Sequence, residues 1–162
     1  MLKIREYQLK DRLDCLRIFN SNIPKYFANE ERALFDKYLH APPGKYWVME
    51  NDQGLIACAG YGVQDGNQGR LHWGMVMHGC HGEGYGTKFL KFRLHKLVED
   101  PTVAYIGLDT SQHTWEFFHR FGFREFNVTP NGYGPGLHKH DMRWDLPIDP
   151  IERHKIALHL KD

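Results

Sequence analysis

A glycine-rich segment at residues 82–86 constrains this chain most, because it joins an apolar strand to the start of a helix. The strand is predicted over residues 71–77, and Gly82, Gly84 and Gly86 alternate just before the helix. Glycine at such a junction lets the backbone take positive φ and approach a ligand without a Cβ in the way. A helix N-terminus beyond it offers unpaired N–H groups and a partial positive charge. The segment therefore predicts a loop that holds a phosphate or pyrophosphate group.

Spacing separates three classes of phosphate-binding loop. A P-loop ends in Gly-Lys-Ser/Thr, which is absent here because Lys88 follows Thr87. A dinucleotide loop reads G-x-G-x-x-G with an acidic residue about twenty positions on. This chain reads G-x-G-x-G, yet Asp109 ends the next apolar strand, so the motif alone leaves that class open. The third pattern, Arg or Gln followed by x-x-G-x-[GA], matches residues 81–86 except that His81 occupies its first position.

With two further stretches, the loop resembles the GNAT superfamily, acetyltransferases that use acetyl-CoA. The segment FFHRFGFREF at residues 117–126 resembles the aromatic–x–x–x–Gly–Phe end of that family's second CoA-side helix. The order of strand, loop and helix from Leu55 onward matches the family core. The likeness covers residues 4–146, so we expect one GNAT-like domain at 1–146 and a C-terminal extension at 147–162.

The resemblance implies an α/β (α+β) fold with a mixed, mostly antiparallel sheet of about seven strands, flanked by helices and splayed between strands 4 and 5. Periodicity and turn residues predict the elements before the glycine loop as strand 2–8, a helix N-capped by Asp11, a helix from Asn29, a hairpin of 46–50 with 55–63, and strand 71–77. After the loop they predict helix 87–99, strand 103–108 and helix 112–121. Strands 123–129 and 137–146 follow, with a loop at 130–136 between them. Antiparallel strands before the loop and only one crossover helix pair fit a doubly wound dinucleotide fold poorly.

The C-terminal extension carries two conflicting patterns. Asp149 and Pro150 make a good N-cap and N1 pair, which favours a helix. Ile156, Leu158 and Leu160 alternate, which favours a strand. We expect a helix that packs on the domain surface or on a partner subunit, in a homodimer.

Composition bounds the class of protein and its partners. The 162 residues suit one domain, and 41% hydrophobic with 25% charged residues is the balance of an ordinary globular protein. A net charge of +1 predicts no nucleic-acid or membrane partner. Cys15, Cys58 and Cys80 fit free thiols in a reducing compartment. Without a signal-peptide pattern or a long apolar run, we expect a cytoplasmic protein.

The resemblance also assigns the donor site and the chemistry. It implies direct attack of an acceptor amine on the thioester of acetyl-CoA. Met75, Val76 and Met77 would line the pantetheine, and one of their N–H groups would polarise the carbonyl. Phe117 and Phe118 would be core or pantetheine-wall residues. The pyrophosphate would be wrapped by His81, Gly82, Glu83, Gly84, Tyr85, Gly86 and Thr87.

The proton-transfer groups are less well determined. Phe118 stands where the family often has a tyrosine general acid, so the acid could be Ser111, Tyr133 or a water. The thiolate could also leave unassisted, since a simple thiol has a pKa of about 8.5. The central strand has no carboxylate, which makes His72 the candidate base, although a hydrogen-bonded structural role explains it too.

The last hairpin adds His140, which could orient an amine or belong to an exposed polar loop. No metal is expected, because His138 and His140 have no second cluster at ligand spacing. Acceptor choice would lie in residues 20–38 and 130–140. There Glu30 and Glu31 suit a cationic amine, and solvated helix residues explain them equally well.

Two functions therefore stay open from the sequence. One is an N-acetyltransferase that moves an acetyl group from acetyl-CoA to a primary amine of a small molecule or a protein. The other is a non-catalytic GNAT-fold module that binds CoA or regulates a partner. The glycine loop favours the first, and Phe118 with the acid-free strand favours the second.

Overall fold

The computed structural model describes residues 1–162 as alternating strands and helices. The strands are β1 (Lys3–Glu6), β2 (Lys45–Asn51), β3 (Gly54–Gln64), β4 (Gln68–Val76), β5 (Tyr105–Thr110), β6 (Arg124–Gly134) and β7 (Leu137–Asp145). The helices are α1 (Arg12–Ser21), α2 (Arg32–His40), α3 (Tyr85–Glu99), α4 (Trp115–His119) and α5 (Pro150–His159). None of the helices has the length and apolar character needed to cross a membrane.

All strands belong to one seven-stranded sheet in the order β1-β2-β3-β4-β5-β7-β6. The predicted hairpin of β2 and β3 is confirmed, with Lys45 opposite Tyr61 and Asn51 opposite Gly54. Every neighbouring pair is antiparallel except β4 and β5, which are parallel. A parallel pair needs a crossover connection, and α3 supplies it. The mixed, mostly antiparallel fold expected from the sequence is confirmed.

The two parallel strands pair only at their beginnings. Their register comprises the pairs Gln68–Tyr105, Gly69–Ile106 and Arg70–Gly107. Beyond these pairs β4 continues to Val76 and β5 to Thr110 without facing each other in the ladder. Backbone N–H and C=O groups that lose a ladder partner need another one, so a gap of this kind is a place where a ligand can bind.

A bulge in β4 accompanies this divergence. The register against β3 shifts between Cys58 and Gly60. Opposite the shift, Trp73 takes a φ of 41°, a left-handed conformation that a bulky side chain rarely adopts. The phenolic O–H of Tyr46 donates to the Trp73 carbonyl at 2.8 Å and holds it. The bulge re-aims the second half of β4 away from its original line.

Three hydrophobic clusters form the core, and the two larger ones are built around different helices. One joins α1 and α2, through Phe19 and Phe35, to alternate residues of β2 and β3 such as Val48 and Cys58. The other joins leucines of α3 to buried residues of β5 and β7, and it includes Leu160 of the C-terminal segment. Alternation along a strand sends successive side chains to opposite faces, so each helix pair has its own half of the core.

The largest difference from the sequence prediction lies at residues 130–136, which were expected to form a loop. The structure extends β6 to Gly134, and only a tight turn connects it to Leu137. A register shift between Thr129 and Gly134 accommodates the extra residues, with Asn131 at a φ of 57°. Turn-forming residues here build a bulge inside a hairpin, which periodicity cannot distinguish from a loop.

Two smaller corrections concern helix ends. Asp11 precedes α1 as predicted, but its carboxylate does not cap that helix. It accepts instead from the Gln8 N–H at 2.9 Å and closes a 3-10 turn at Leu9–Asp11. The helix expected over residues 112–121 is shorter, because regular α4 covers only Trp115–His119.

The C-terminal segment forms the expected helix. The Asp149 carboxylate accepts from the Ile151 N–H at 3.1 Å, with Pro150 in the first turn. Arg153 then donates to three backbone carbonyls around the end of α3, those of Val98 at 3.0 Å, Asp100 at 2.8 Å and Val103 at 2.7 Å. One guanidinium thus pairs acceptors that the end of α3 leaves without intrahelical donors.

Replacing Arg153 tests how strongly this segment is tied to the sheet. Arg153→Met keeps the aliphatic stem but removes three hydrogen bonds, and of the three carbonyls that of Asp100 keeps the Val103 N–H as a donor. We expect the free energy of unfolding to fall by about 2 kcal/mol. Urea denaturation followed by circular dichroism measures the change. Lys155→Met, at an exposed position of the same helix, is the matched control and should be nearly neutral. Equal stability of the two variants would contradict a stabilising role for the Arg153 hydrogen bonds.

Candidate active site

The gap between β4 and β5 opens into a cleft of about 990 Å³. That volume is in the range of cavities that hold small ligands and cofactors. Its walls come from β4, the start of α3, the end of β5, α4, the segment before α2 and the end of β6. Most of the residues predicted for the donor site and two regions predicted for the acceptor therefore face one space.

The glycine loop has the geometry that its sequence predicted. Gly82 and Gly84 have φ values of 82° and 84°, and Gly84 is the N-cap of α3. A Cβ at either position would meet no atom within 4 Å, so backbone conformation rather than space demands glycine. The Lys88 N–H donates to the Gly84 carbonyl at 3.1 Å. The N–H groups of the three preceding residues have no intrahelical acceptor.

Those three residues, Tyr85, Gly86 and Thr87, all line the cleft. Three unpaired N–H groups at a helix N-terminus, beside a loop with positive φ, form a strong site for a phosphate group. Of the residues predicted to bind the donor, the cleft is lined by Met75, Val76, His81, Gly82, Gly84, Tyr85, Gly86, Thr87, Phe117 and Phe118, whereas Met77 and Glu83 do not line it.

At the end of β4, the backbone N–H groups of Val76 and Met77 point in opposite directions. The Met77 N–H donates to the Ile56 carbonyl of β3 at 2.7 Å. Because backbone groups alternate in direction along a strand, the Val76 N–H and C=O point to the opposite side, into the gap. Only Val76 of these two thus offers an N–H group to a ligand in the cleft.

The Val76 carbonyl has two side-chain donors. Asn22 Nδ2 lies 2.9 Å from it, and His81 Nε2 also lies 2.9 Å from it. Asn22 is buried and donates to the Ile18 carbonyl as well, at 2.9 Å. Asn22 lies within the acceptor region predicted at residues 20–38, but no local pattern shows that it bonds a strand 54 residues away.

The predicted general-acid candidates have different surroundings. Ser111 is buried at the end of β5 and lines the cleft. Its Oγ accepts from the His113 N–H at 3.2 Å, and its own proton has no acceptor in the protein. The Tyr133 hydroxyl donates to Asp109, and burial followed by that carboxylate raises the pKa of Tyr133 above its usual value. Of the two, only Ser111 has a proton free for a ligand.

His72 lines the cleft but is a weak base. Its Nδ1 lies 3.0 Å from the Tyr38 hydroxyl. Burial, assisted by the nearby guanidinium groups of Arg93 and Arg70, lowers the pKa of His72 to about 4. The imidazole is therefore neutral at pH 7 and accepts a proton poorly there.

Arg93 is a feature of the site that sequence reasoning did not find. It lies on α3, is 5% exposed, and donates to the Gly60 carbonyl at 3.2 Å beside the bulge of β4. Gly74 leaves it room, because a Cβ there would lie 3.0 Å from the guanidinium. Burial lowers the pKa of Arg93 to about 10, and it has no carboxylate partner. A helical pattern alone cannot indicate that this arginine faces the sheet.

His140 lies away from the cleft. Its Nδ1 pairs with the Glu125 carboxylate, and its ring is parallel to that of Trp115 at 6.1 Å between centroids. The structure therefore does not bring His140 together with the other predicted catalytic residues, and we carry no catalytic role forward for it.

The cleft contains two carboxylates, Asp109 and Glu31, that the sequence did not assign to catalysis. Asp109, which the sequence suggested only as the acidic residue of a dinucleotide motif, accepts from Arg70 and Tyr133. Glu31 is 8% exposed, and its Oε2 accepts from the Ala28 N–H at 2.8 Å. Burial raises the pKa of Glu31 to about 7. The sequence allowed for a solvated Glu31, because its burial depends on strands far along the chain.

Comparison with known proteins identifies the family. The model of the Acetyltransferase (GNAT) family matches residues 13–123. No curated protein matches the chain significantly.

Solved structures share the fold at low sequence identity. The ribosomal-protein-S18-alanine N-acetyltransferase from Escherichia coli is 14% identical, with a TM-score of 0.75 over 92% of this chain and 96% of that one. An aminoglycoside 6'-N-acetyltransferase in complex with coenzyme A is 16% identical, with a TM-score of 0.67 over 90% and 98%. The ribosomal-protein-alanine N-acetyltransferase from Brucella melitensis is 18% identical, with a TM-score of 0.67 over 89% and 99%.

The depressed pKa of His72 predicts a pH-dependent loss of stability. Since its folded-state pKa is about 4, against about 6.5 when unfolded, the unfolded chain binds the proton more tightly. His72 stabilises the fold fully above pH 6.5, and this contribution falls as the pH drops towards 4, by about 3 kcal/mol in all. Urea denaturation at pH 7.5 and 4.5, with His72→Asn as control, measures it. An equal pH dependence in both proteins would contradict the assignment.

Proposed function

Because the chain belongs to the GNAT acetyltransferase family, we propose that it transfers the acetyl group of acetyl-CoA to a primary amine of a small molecule or a protein. The observation that carries this proposal is the continuity of the cleft. One space contains the unpaired N–H groups at the start of α3, the free edge of β4 and two carboxylates on the far side. A thioester donor and an amine acceptor can therefore meet in it.

The donor would be held mainly by backbone groups. The N–H groups of Tyr85, Gly86 and Thr87 would bind the pyrophosphate, with Gly82 and Gly84 shaping the loop. Met75 and Val76 would line the pantetheine, with the Val76 backbone at the free edge of β4, and Phe117 with Phe118 would form its apolar wall. His81 closes the loop on the Val76 carbonyl.

The Val76 N–H would polarise the thioester carbonyl, because it points into the gap while that of Met77 is used by β3. Ser111 would donate a proton to the departing thiolate, since its hydroxyl proton has no acceptor in the protein. A thiolate also leaves without much assistance at neutral pH, because a simple thiol has a pKa of about 8.5.

The same reasoning extends to the domain and its location. We propose that residues 1–146 form the acetyltransferase domain and that residues 147–162 form an extension packed on it. The Arg153 contacts and the buried Leu160 support this division. Three free thiols support a reducing compartment, and hence the cytoplasm, as the place of action.

One observation favours a second function, a CoA-binding module without turnover. Phe118 lines the cleft where a proton donor is common in the family, and β4 has no carboxylate. The two functions differ in whether amines cause release of free CoA thiol. Thiol release with any member of an amine panel supports the enzyme, and binding of acetyl-CoA with no release from the panel supports the module.

The donor site itself is tested by calorimetric titration with acetyl-CoA and, in parallel, NAD. We expect saturable binding of acetyl-CoA and no heat of binding with NAD. Binding of NAD without binding of acetyl-CoA would overturn the proposal. It would instead favour a dinucleotide-binding loop with Asp109 as its acidic residue.

A matched pair of glycine variants tests the phosphate loop. Gly84→Val places a Cβ in the loop at a φ of 84°, so we expect acetyl-CoA affinity to fall at least about tenfold as the loop changes shape. Gly66→Val is the control, because Gly66 has a φ of 81°, equally open surroundings and a place in the turn between β3 and β4. It should show similar backbone strain with unchanged affinity. Unchanged affinity in Gly84→Val would refute the phosphate loop.

A further inference from the structure

One end of the cleft carries all of its carboxylates. Among its lining residues the acidic ones are Glu30, Glu31 and Asp109. Glu31 directly precedes α2, whereas Asp109 belongs to β5, so the tertiary fold brings them together. Three further lining side chains, those of Phe27, Leu34 and Trp73, add apolar surface to the cleft.

Asp109 is already fully engaged by the protein. Arg70 donates to its Oδ1, and the Tyr133 hydroxyl donates to its Oδ2. Both oxygens of this carboxylate thus already accept a hydrogen bond from a protein side chain. Asp109 therefore contributes negative charge to this end of the cleft, but neither of its oxygens is without a protein donor.

Glu31 differs from Asp109 in having one oxygen unused. Its Oε2 accepts from the Ala28 N–H at 2.8 Å, and no protein donor reaches Oε1. The residue is 8% exposed, and the space it borders is the cleft. The unpartnered Oε1 is therefore available to a hydrogen-bond donor of a ligand in the cleft.

We propose that this end of the cleft binds a primary alkylamine with an apolar body and that Glu31 is the general base that takes its proton. The proposal rests on the proposed function, because it assigns the acceptor half of the same site. The ammonium ion would be recognised by the free Glu31 oxygen and by the field of Asp109. The apolar body would pack on Phe27 and Trp73, whose rings are 6.1 Å apart between centroids.

The reaction balances with these groups alone. The Glu31 carboxylate takes one proton from the ammonium ion, and the nitrogen lone pair then forms a C–N bond to the thioester carbonyl carbon. The C–S bond breaks, Ser111 gives its hydroxyl proton to the thiolate, and Ser111 regains a proton from the nitrogen as the nitrogen becomes an amide. The products are the N-acetylated amine and the CoA thiol, and Glu31 releases its proton to water.

The surroundings of Glu31 suit this role at neutral pH. Burial, opposed by the Ala28 hydrogen bond and assisted by the charges of Asp109 and Glu30, raises the pKa of Glu31 to about 7. A base is most effective when its pKa lies near the working pH. The other charged or titratable side chains on elements around this end are Arg32 on α2, Arg70 and His72 on β4, Tyr133 on β6, and Lys139 on β7.

These neighbours leave Glu31 unpaired. Arg32 donates to Asn20, Arg70 pairs with Asp109, and Lys139 lies 3.8 Å from Asp141. Each cation has another partner, so none of them holds Glu31 in its ionised form. Deprotonation of Glu31 as the pH rises through 7 should therefore switch the base on.

The test uses the full-length protein, acetyl-CoA and 2-phenylethylamine as the probe, with kcat measured by thiol release from pH 5.5 to 9. In the wild type kcat should rise with pH and level off above about 7. Glu31→Gln keeps an oxygen that accepts from the Ala28 N–H, but an amide cannot act as a base. In this variant kcat should therefore fall about 100-fold and no longer depend on a group that titrates near pH 7.

The matched control is Asp11→Asn. The Asp11 carboxylate accepts from the Gln8 N–H three residues before it, the same turn-closing bond that Glu31 makes with Ala28, but it lies outside the cleft. Folded Asp11→Asn protein should keep the wild-type kcat and pH profile. A comparable loss in both variants would show that Glu31 acts only by closing its turn, and would overturn the assignment.

Other outcomes separate this proposal from the proposed function. Glu31→Gln should bind acetyl-CoA with wild-type affinity in a calorimetric titration. A wild-type protein that does not bind acetyl-CoA overturns the proposed function itself. If Glu31→Gln binds acetyl-CoA and its kcat has the wild-type pH profile, Glu31 is not the general base. If the wild type binds acetyl-CoA but does not acetylate 2-phenylethylamine at any pH, this end of the cleft is not an alkylamine site.

Discussion

The divergence of β4 from β5 after three residue pairs is the constraint on which the site depends. A continuous sheet would pair the backbone of both strands and leave no edge for a ligand. Here the bulge at Trp73, held by the Tyr46 hydroxyl, turns β4 away, while α1 and α2 pack on β2 and β3 and α3 packs on β5 and β7. The cleft is thus a consequence of sheet geometry rather than of surface loops.

Burial then sets the charge state of the groups in the cleft. Arg93 lies behind the bulge without a carboxylate partner, and its charge helps to lower the pKa of His72. On the opposite side, Asp109 is held by two side-chain donors, whereas Glu31 has one donor and burial raises its pKa to about 7. A positive side and a negative side are therefore arranged within one cavity, which suits an anionic donor and a cationic acceptor.

Local patterns predicted much of the fold and half of the site. The hairpin of β2 and β3, the amphipathic α3 and the helix at the C-terminus follow from periodicity and capping residues. The bulged end of β6 could not be predicted, because the same glycines and asparagine suit a loop. Val76 rather than Met77 faces the gap because of the register with β3, which one strand's sequence does not contain.

The sequence by itself determined the phosphate loop, since positive φ at Gly82 and Gly84 is a property of the residues and of the helix that follows them. Only the tertiary structure decided which side chains can move protons. Glu31 has a raised pKa because distant strands bury it, and His72 has a lowered one for the same reason. Proton affinity depends on solvent exclusion and on neighbouring charges, and both arise only when remote segments pack together.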